Sequence, residues 1–579
     1  MSVHDYCCFN FLFSCCDNTA HVDDGDEAVD DDAQNLSHVG TACYDTLRRQ
    51  HNRFHHTLWN VTSGSIVSLD PTPRDSSSEN PNHSDWFPEK LAGMVSRTEV
   101  WCDIMSLAPP DGIFLTTMQA ALKQLHEKNK KIVVRMMFGN IVGMPVNCHK
   151  VMKKLTEGIP ATTNLRLWVG AWRKGVSWNH AKIIAIDGNF LHTGGHNLWD
   201  SHYLKHDPVH DLSLEVTGRV THDGHLFANE QWHFIERMQN SFCGYFIDKL
   251  PDSLPMALKS RVTVSEFPPN LASEYPPVYR KALVPKIMPL RSELQVPIIS
   301  MGRYGKLTRF GQRPSDDGIL AMLGSAKTII RLAVQDLGPV CIPGTKITVP
   351  GCIWPHEYLS EIGRVIWEKG VDVEIILSNP NSIPGGLTAT EANYGNGWSC
   401  VDVAAEIIKE IRKQFPDAND AALREKVSEN LRVCFLRSKQ GQQKWEDGMS
   451  IGLHSKHFIV DDVCCYIGSQ NLYICDLAEW GLVIDHAEKV QSLMDEYWHP
   501  LWSASYTPDD CDVQAVMDGL KIDRDGENVH YISDETKEKM ELANPTPGMN
   551  LMQMGAQGGV KTGNPEYYHH TDEKSEEDS

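Results

Sequence analysis

The chain has 579 residues, 41% of them apolar and 22% charged, with a formal net charge of −22. That length allows two to four ordinary domains or one large two-lobed unit, and the composition is that of a globular protein. No run of about twenty apolar residues occurs, which argues against a membrane-spanning helix, and the negative balance argues against a general nucleic-acid binder.

The chain opens on MSVHDYCCFNFLFSCC, an apolar stretch without Lys or Arg, the first basic residue being Arg48. It lacks the positive start and small-residue cleavage site of a secretory signal. Cys7, Cys8, Cys15 and Cys16 flank Phe9, Phe11 and Phe13. Two readings stand: S-acylation sites on a membrane-touching segment, or a disordered, cysteine-bearing N-terminus. A cytoplasmic or peripheral-membrane protein is the expectation. Asp23–Asp32 holds seven carboxylates and no basic residue, so residues 1–41 are expected to lack structure. The sequons at Asn35, Asn60 and Asn82 would matter only in a secreted chain. Cys341 and Cys352 bracket a Pro/Gly loop that a disulfide could close.

From 42 onward strands and helices alternate. EVWCDIMSL (99–107) predicts a strand, GIFLTTMQAALKQLHEKN (112–129) an amphipathic helix and KIVVRMMFG (131–139) a buried strand. Strands at 165–173 and 181–188 and a helix at 225–238 complete a first lobe, 42–290. The same order returns in a second lobe, 291–507: strand 328–337, helix 356–370, strands 372–379, 431–438 and 456–462, and helix 488–502. The prolines of 285–310 mark the boundary. Alternation of this kind predicts an α/β fold, and its repetition predicts two pseudo-symmetric α/β/α sandwich lobes. Residues 508–579 are expected to form an acidic, mostly disordered tail. Asp523, Asp525 and Gly526 do not make a calcium loop, because Lys521 and Ile532 stand at its first and last ligand positions.

Within the lobes lies a sharper repeat. His180, Lys182, Asp187, Gly194, Gly195 and Asn197 match His454, Lys456, Asp461, Gly468, Ser469 and Asn471 at the same offsets, and a Leu follows each Asn. Residues two apart on a strand share a face, so each His and Lys point into one pocket. Asp187 and Asp461 fall at an odd offset, on a turn, where they read as structural supports of the motif. The glycines allow close approach to a ligand. Two imidazoles, two ammonium groups and two amides suit an anionic phosphodiester: one His attacks phosphorus, the other carries protons, and Lys and Asn stabilise the non-bridging oxygens. With that charge supplied by Lys, no metal or other cofactor is required. Asp211 and Glu479, each leading into an apolar strand after a motif, are the candidate acceptors that orient the imidazoles. A metal site at His202, His206 and His210 is disfavoured, since Pro208 breaks the helix that would align them.

The doubled His-x-Lys-x4-Asp resembles the signature of the phospholipase D superfamily. SWNHAKIIAIDG with TGGHNLWDSHYL and HDPVHDLSLEVTG, and later KWEDGMSIGLHSKHFIVDDVCCYIGSQNLY, look like the two motif regions of the Streptomyces-type enzymes. That resemblance covers roughly 42–505. It implies cleavage of the distal phosphodiester of a glycerophospholipid at a membrane surface, by a monomer, through a phosphohistidine, with transfer to other alcohols. It further implies His180 as nucleophile and His454 as acid/base, with Trp199, Tyr203 and Tyr394 as headgroup-binding aromatics and Gly195 and Ser469 at the substrate. The chain departs from the family in its acidic extensions, its lack of an evident signal peptide, and Glu in place of Asp at 479. A superfamily nuclease or phospholipid synthase, and an inactive lipid-binding scaffold, are the competing readings; the intact motif residues speak against the scaffold.

Overall fold

In the computed structural model the repeated sequence is a repeated sheet. The structure describes residues 35–73, 85–141, 145–174, 177–204, 207–240, 261–269, 277–281, 294–304, 313–339, 347–348, 353–380, 382, 398–473 and 477–523. The first lobe supplies β1 (Trp59–Thr72), β2 (Trp101–Ser106), β3 (Val133–Gly139), β4 (Arg166–Lys174), β5 (Ser177–Trp178), β6 (Ile183–Ile186), β7 (Phe190–Gly194), β8 (Asp211–Thr217) and β9 (Arg261–Phe267). The second supplies β10 (Val296–Tyr304), β11 (Ile329–Val334), β12 (Asp372–Leu377), β13 (Leu431–Phe435), β14 (Lys456–Val460), β15 (Cys464–Gly468) and β16 (Ala478–Asp485).

Their spatial order is β13-β12-β11-β14-β15-β16-β10-β1-β8-β7-β6-β2-β3-β4-β5, with β9 beside β4. Read outward from the centre, the halves are equivalent: β1, β8, β7, β6, β2, β3 and β4 mirror β10, β16, β15, β14, β11, β12 and β13. In each half three strands run parallel and the motif strands pair antiparallel. The 14-residue β1 joins them, pairing with β10 through Trp59–Gly64 and with β8 through Ser65–Thr72. The expected two-lobed α/β architecture is therefore found.

Local sequence explains the elements. The helix Gly112–Glu127 buries Phe114, Met118, Ala121, Leu122 and Leu125, an i, i+4, i+7, i+8, i+11 stripe. β3 is buried along its whole length, as a parallel strand covered on both faces must be. A capping box of Ser399 and Asp402 starts Cys400–Gln414, and Gly370 at φ 65° ends His356–Lys369. The expected helix 488–502 is interrupted by a π-helical turn, Met494–Trp498, just ahead of Pro500. Proline there has no N–H to return to the preceding turn. No helix among the described residues is long and apolar enough to cross a membrane.

Two segments lie elsewhere than expected. The helix His38–His51 packs on the second lobe: Val39, Cys43, Tyr44 and Leu47 share a core with Met301, Ile319 and Met322. Ser37, its cap, donates from Oγ to Asp485 Oδ1 at 2.5 Å. Among the described residues, structure is thus present before residue 42, and the helix His38–His51 crosses to the other lobe. Residues 508–523, expected as disordered tail, fold back as a short helical turn and the helix Val513–Gly519. Arg424 holds them, donating to Asp518 Oδ1 (2.6 Å) and to Ile522 O (2.5 Å), and Val516, Met517 and Ile522 join the second core. Cys7, Cys8, Cys15, Cys16, Asn82, Cys341, Cys352 and the acidic residues beyond 523 lie outside the described residues. Asn60 is buried in β1 and donates to Asp223 Oδ1 at 2.9 Å, so its sequon offers no glycosylation site.

Candidate active site

The junction between the lobes is where the two motifs meet. Each His sits just before its motif strand, β6 or β14, and each is held by the opposite lobe. The His180 N–H donates to Ala478 O at 2.9 Å, and its Nδ1–H donates to Glu479 Oε2 at 2.8 Å. In the mirror arrangement the His454 N–H donates to His210 O at 2.7 Å, and its Nδ1–H donates to Asp211 Oδ2 at 2.7 Å. A carboxylate can only accept, so each imidazole keeps its proton on Nδ1 and carries its lone pair on Nε2. Partners 299 and 243 residues apart thus cross between lobes, and neither lobe holds a complete site.

Lys182 and Lys456 follow on the same faces. Lys182 Nζ donates to His180 O at 2.5 Å, and Lys456 Nζ does the same to His454 O. Asn197 and Asn471 are buried beside them; Oδ1 and Nδ2 of Asn197 and Oδ1 of Asn471 have no hydrogen-bond partner. Buried amide atoms without partners are costly; an oxyanion could accept from Asn197 Nδ2, whereas the two Oδ1 atoms call for a donor.

The electrostatics follow from burial. His180 is pushed down to about 4 by burial, against the pull of Glu479, and Lys182 adds to the fall. His454 lies well below its ordinary value, first through burial and then through Lys456, Lys182 and His180. Burial brings Lys182 down to about 7 and Lys456 to about 8, with Glu479 and Asp211 opposing it. Burial pushes Glu479 up, but the charges of His180, Arg303 and Lys182 leave it below the ordinary carboxylate range. Two lysines and two carboxylates balance, so the free site holds neutral imidazoles. An anion brought into it would favour uptake of a proton.

Asp187 and Asp461 are not at the pocket. Both stand beyond the far end of their motif strand with φ 52° and 53°. Asp187 accepts from the N–H groups of Glu99 (2.7 Å), Val100 (2.9 Å) and Trp101 (2.7 Å) at the start of β2. Asp461 accepts from Lys327, Thr328 and Ile329 at the start of β11. They fix strand register, as supports.

The structure places the residues expected on the substrate side as follows. Ser469 is fully buried, and its hydroxyl donates to Glu479 Oε2 at 2.6 Å, so it orients a carboxylate. Gly195 clears space: a Cβ there would stand 2.0 Å from Asp211 Oδ1. Tyr203 is 0% exposed, packed among Phe87, Phe114 and His196, and has no open face for a headgroup. Its hydroxyl donates to Asp211 Oδ2 at 2.9 Å and accepts from the Asn197 N–H at 3.0 Å. Trp199 is half-buried with its ring edge-on to His202 at 4.6 Å, and Tyr394 lies outside the described residues. His206 does too, and no group of three or more His, Cys, Asp or Glu among the described residues could hold a metal ion. The carbonyls of His210 and Ala478 escape sequence reasoning altogether, since any residue type could supply them.

No family model matches the chain. Phospholipase D from Streptomyces antibioticus is 23% identical to it over 453 residues, covering 73% of this chain and 78% of that enzyme. Among solved structures, phosphatidylserine synthase from Haemophilus influenzae Rd KW20 aligns over 86% of this chain and 98% of its own, with 11% identity and a TM-score of 0.46. Nuc from Salmonella typhimurium, a phospholipase D family member, aligns over 36% of this chain and 96% of its own, with 14% identity and a TM-score of 0.19. The resemblance to the phospholipase D superfamily, and to its Streptomyces-type enzymes, holds.

Proposed function

We propose that this chain, similar to phospholipase D along most of its length, cleaves the distal phosphodiester of glycerophospholipids such as phosphatidylcholine. The observation that carries the reading is the crossed pair His180–Glu479 and His454–Asp211, set with two lysines and orphaned asparagine amides in one buried junction.

His180 Nε2 attacks phosphorus, and the bond to the headgroup oxygen breaks as His454 Nε2–H gives that oxygen its proton. The anionic substrate makes this proton available, since its charge favours protonation of an imidazole that is neutral in the free site. Lys182, Lys456, Asn197 and Asn471 take the non-bridging oxygens, where charge builds in the transition state. Glu479 stabilises the positive charge that His180 gains on forming the N–P bond. His454, now neutral, removes a proton from water or an alcohol, whose oxygen displaces His180. Water gives phosphatidic acid; an alcohol gives the exchanged phospholipid. Because the lysines supply the positive charge, turnover is expected to survive EDTA.

Incubation with phosphatidylcholine and ethanol in EDTA should yield phosphatidylethanol and choline, and His180→Asn should abolish both products and any trapped phosphoenzyme. Intact lipid beside cleaved DNA would refute the lipid reading in favour of a nuclease. Turnover retained by His180→Asn would refute the assignment of roles.

A further inference from the structure

The two orienting carboxylates are held differently. Glu479 receives His180 and the Ser469 hydroxyl on Oε2, while its Oε1 is buried with no hydrogen-bond partner. Asp211 receives three donors: the His454 Nδ1–H and the Tyr203 hydroxyl on Oδ2, and the Leu212 N–H on Oδ1 at 2.8 Å. The hydroxyl at residue 469 has no counterpart at Gly195, where the closeness of Asp211 excludes even a Cβ. Tyr203 supplies it from eight residues before Asp211.

We propose that Tyr203 is a positioning residue that couples the Asn197 loop to the His454–Asp211 pair, through one hydroxyl that accepts from the Asn197 N–H and donates to Asp211. The role of His454 rests on the function proposed above; the coupling itself does not. The ring is clamped among Phe87, Phe114 and His196, so the hydroxyl is held in place by packing. Three donors hold the Asp211 carboxylate more stiffly than two hold that of Glu479, and the one that Tyr203 supplies shares the Oδ2 atom to which the His454 Nδ1–H donates. Any shift of the amide that meets a phosphate oxygen is carried to the proton carrier through a single oxygen atom.

Tyr203→Phe keeps the ring and removes the donor. In the full chain labelled with 15N-histidine, with the His454 signals assigned by their loss in His454→Asn, the His454 titration should move upward by about half a unit to one unit. Fluorinated tyrosine at 203 strengthens the donor without disturbing the packing and should move it downward, which keeps the test decisive if the Phe variant folds poorly. In turnover of phosphatidylcholine, kcat should fall about tenfold, part of the 10²–10⁴ that a positioned acid–base group contributes, with KM and the choline-to-ethanolamine preference unchanged. An unmoved His454 titration in both variants, or an effect confined to headgroup preference, would overturn the proposal. If the wild-type chain leaves phosphatidylcholine intact, the function proposal fails while the titration still decides the role of Tyr203.

Discussion

Replacing Gly195 by Ala adds one methyl group and should disable the acid–base half of the site. The new Cβ would lie 2.0 Å from Asp211 Oδ1, 2.9 Å from its Cγ and 3.1 Å from His454 O. Reaching even a tight 3.0 Å contact requires the carboxylate to retreat by about 1 Å, since the His454 carbonyl at 3.1 Å leaves the methyl group no slack of its own. A retreat of that size stretches the 2.7 Å His454–Asp211 bond to roughly 3.7 Å, past hydrogen-bonding range. A hydrogen bond to a charged group contributes about 1.5–3 kcal/mol, and each 1.36 kcal/mol on the barrier is tenfold. We therefore expect kcat to fall about 10- to 100-fold, together with a stability loss of about 2–4 kcal/mol from the displaced buried carboxylate. Choline release from mixed micelles gives the rate, and denaturant melts give the stability. Gly93→Ala is the control: nothing lies within 4 Å of a Cβ built there, in the helix Trp86–Ser96, so kcat should hold. Wild-type kcat in a folded Gly195→Ala protein would refute the idea that Asp211 must touch His454.

Three further outcomes follow from burial and anchoring. The pH profile of kcat/KM on a short-chain phosphodiester should be bell-shaped, falling on the acid side toward about 4 as His180 takes a proton. On the alkaline side it should fall through about 7 to about 8 as Lys182 and Lys456 lose theirs; activity still rising at high pH would refute this. His180, His196 and His457 are each held down to about 4 by burial, whereas in the unfolded chain they titrate near 6.5. The unfolded state therefore binds more protons between those values. Stability should be full above about 6.5 and fall as pH drops to about 4, by up to about 3 kcal/mol per histidine, read from urea melts across that window. Asp187→Ala removes the acceptor for three backbone N–H groups and strands a non-glycine residue at φ 52°. It should cost about 3 kcal/mol of stability while kcat in the folded fraction changes less than about fivefold, as measured by melting and active-site titration.

The sequence by itself determined the doubled lobe, the strands and the inventory of reacting groups. These are encoded locally: apolar runs name buried strands, a two-residue spacing puts His and Lys on one face, and an odd offset sends Asp187 and Asp461 to the turns. Only the tertiary structure decided which carboxylate serves which histidine, because both pairs cross between lobes over more than two hundred residues. It also decided that Ser469 and Tyr203 hold carboxylates. An aromatic residue near a motif is equally compatible with a headgroup face and a buried hydroxyl until its neighbours are known. The helix His38–His51 and the segment 508–523 escape the sequence pattern for the same reason: their apolar faces are covered by elements far along the chain. What a residue is made of is written in its own neighbourhood; what it touches is settled by the packing of distant ones.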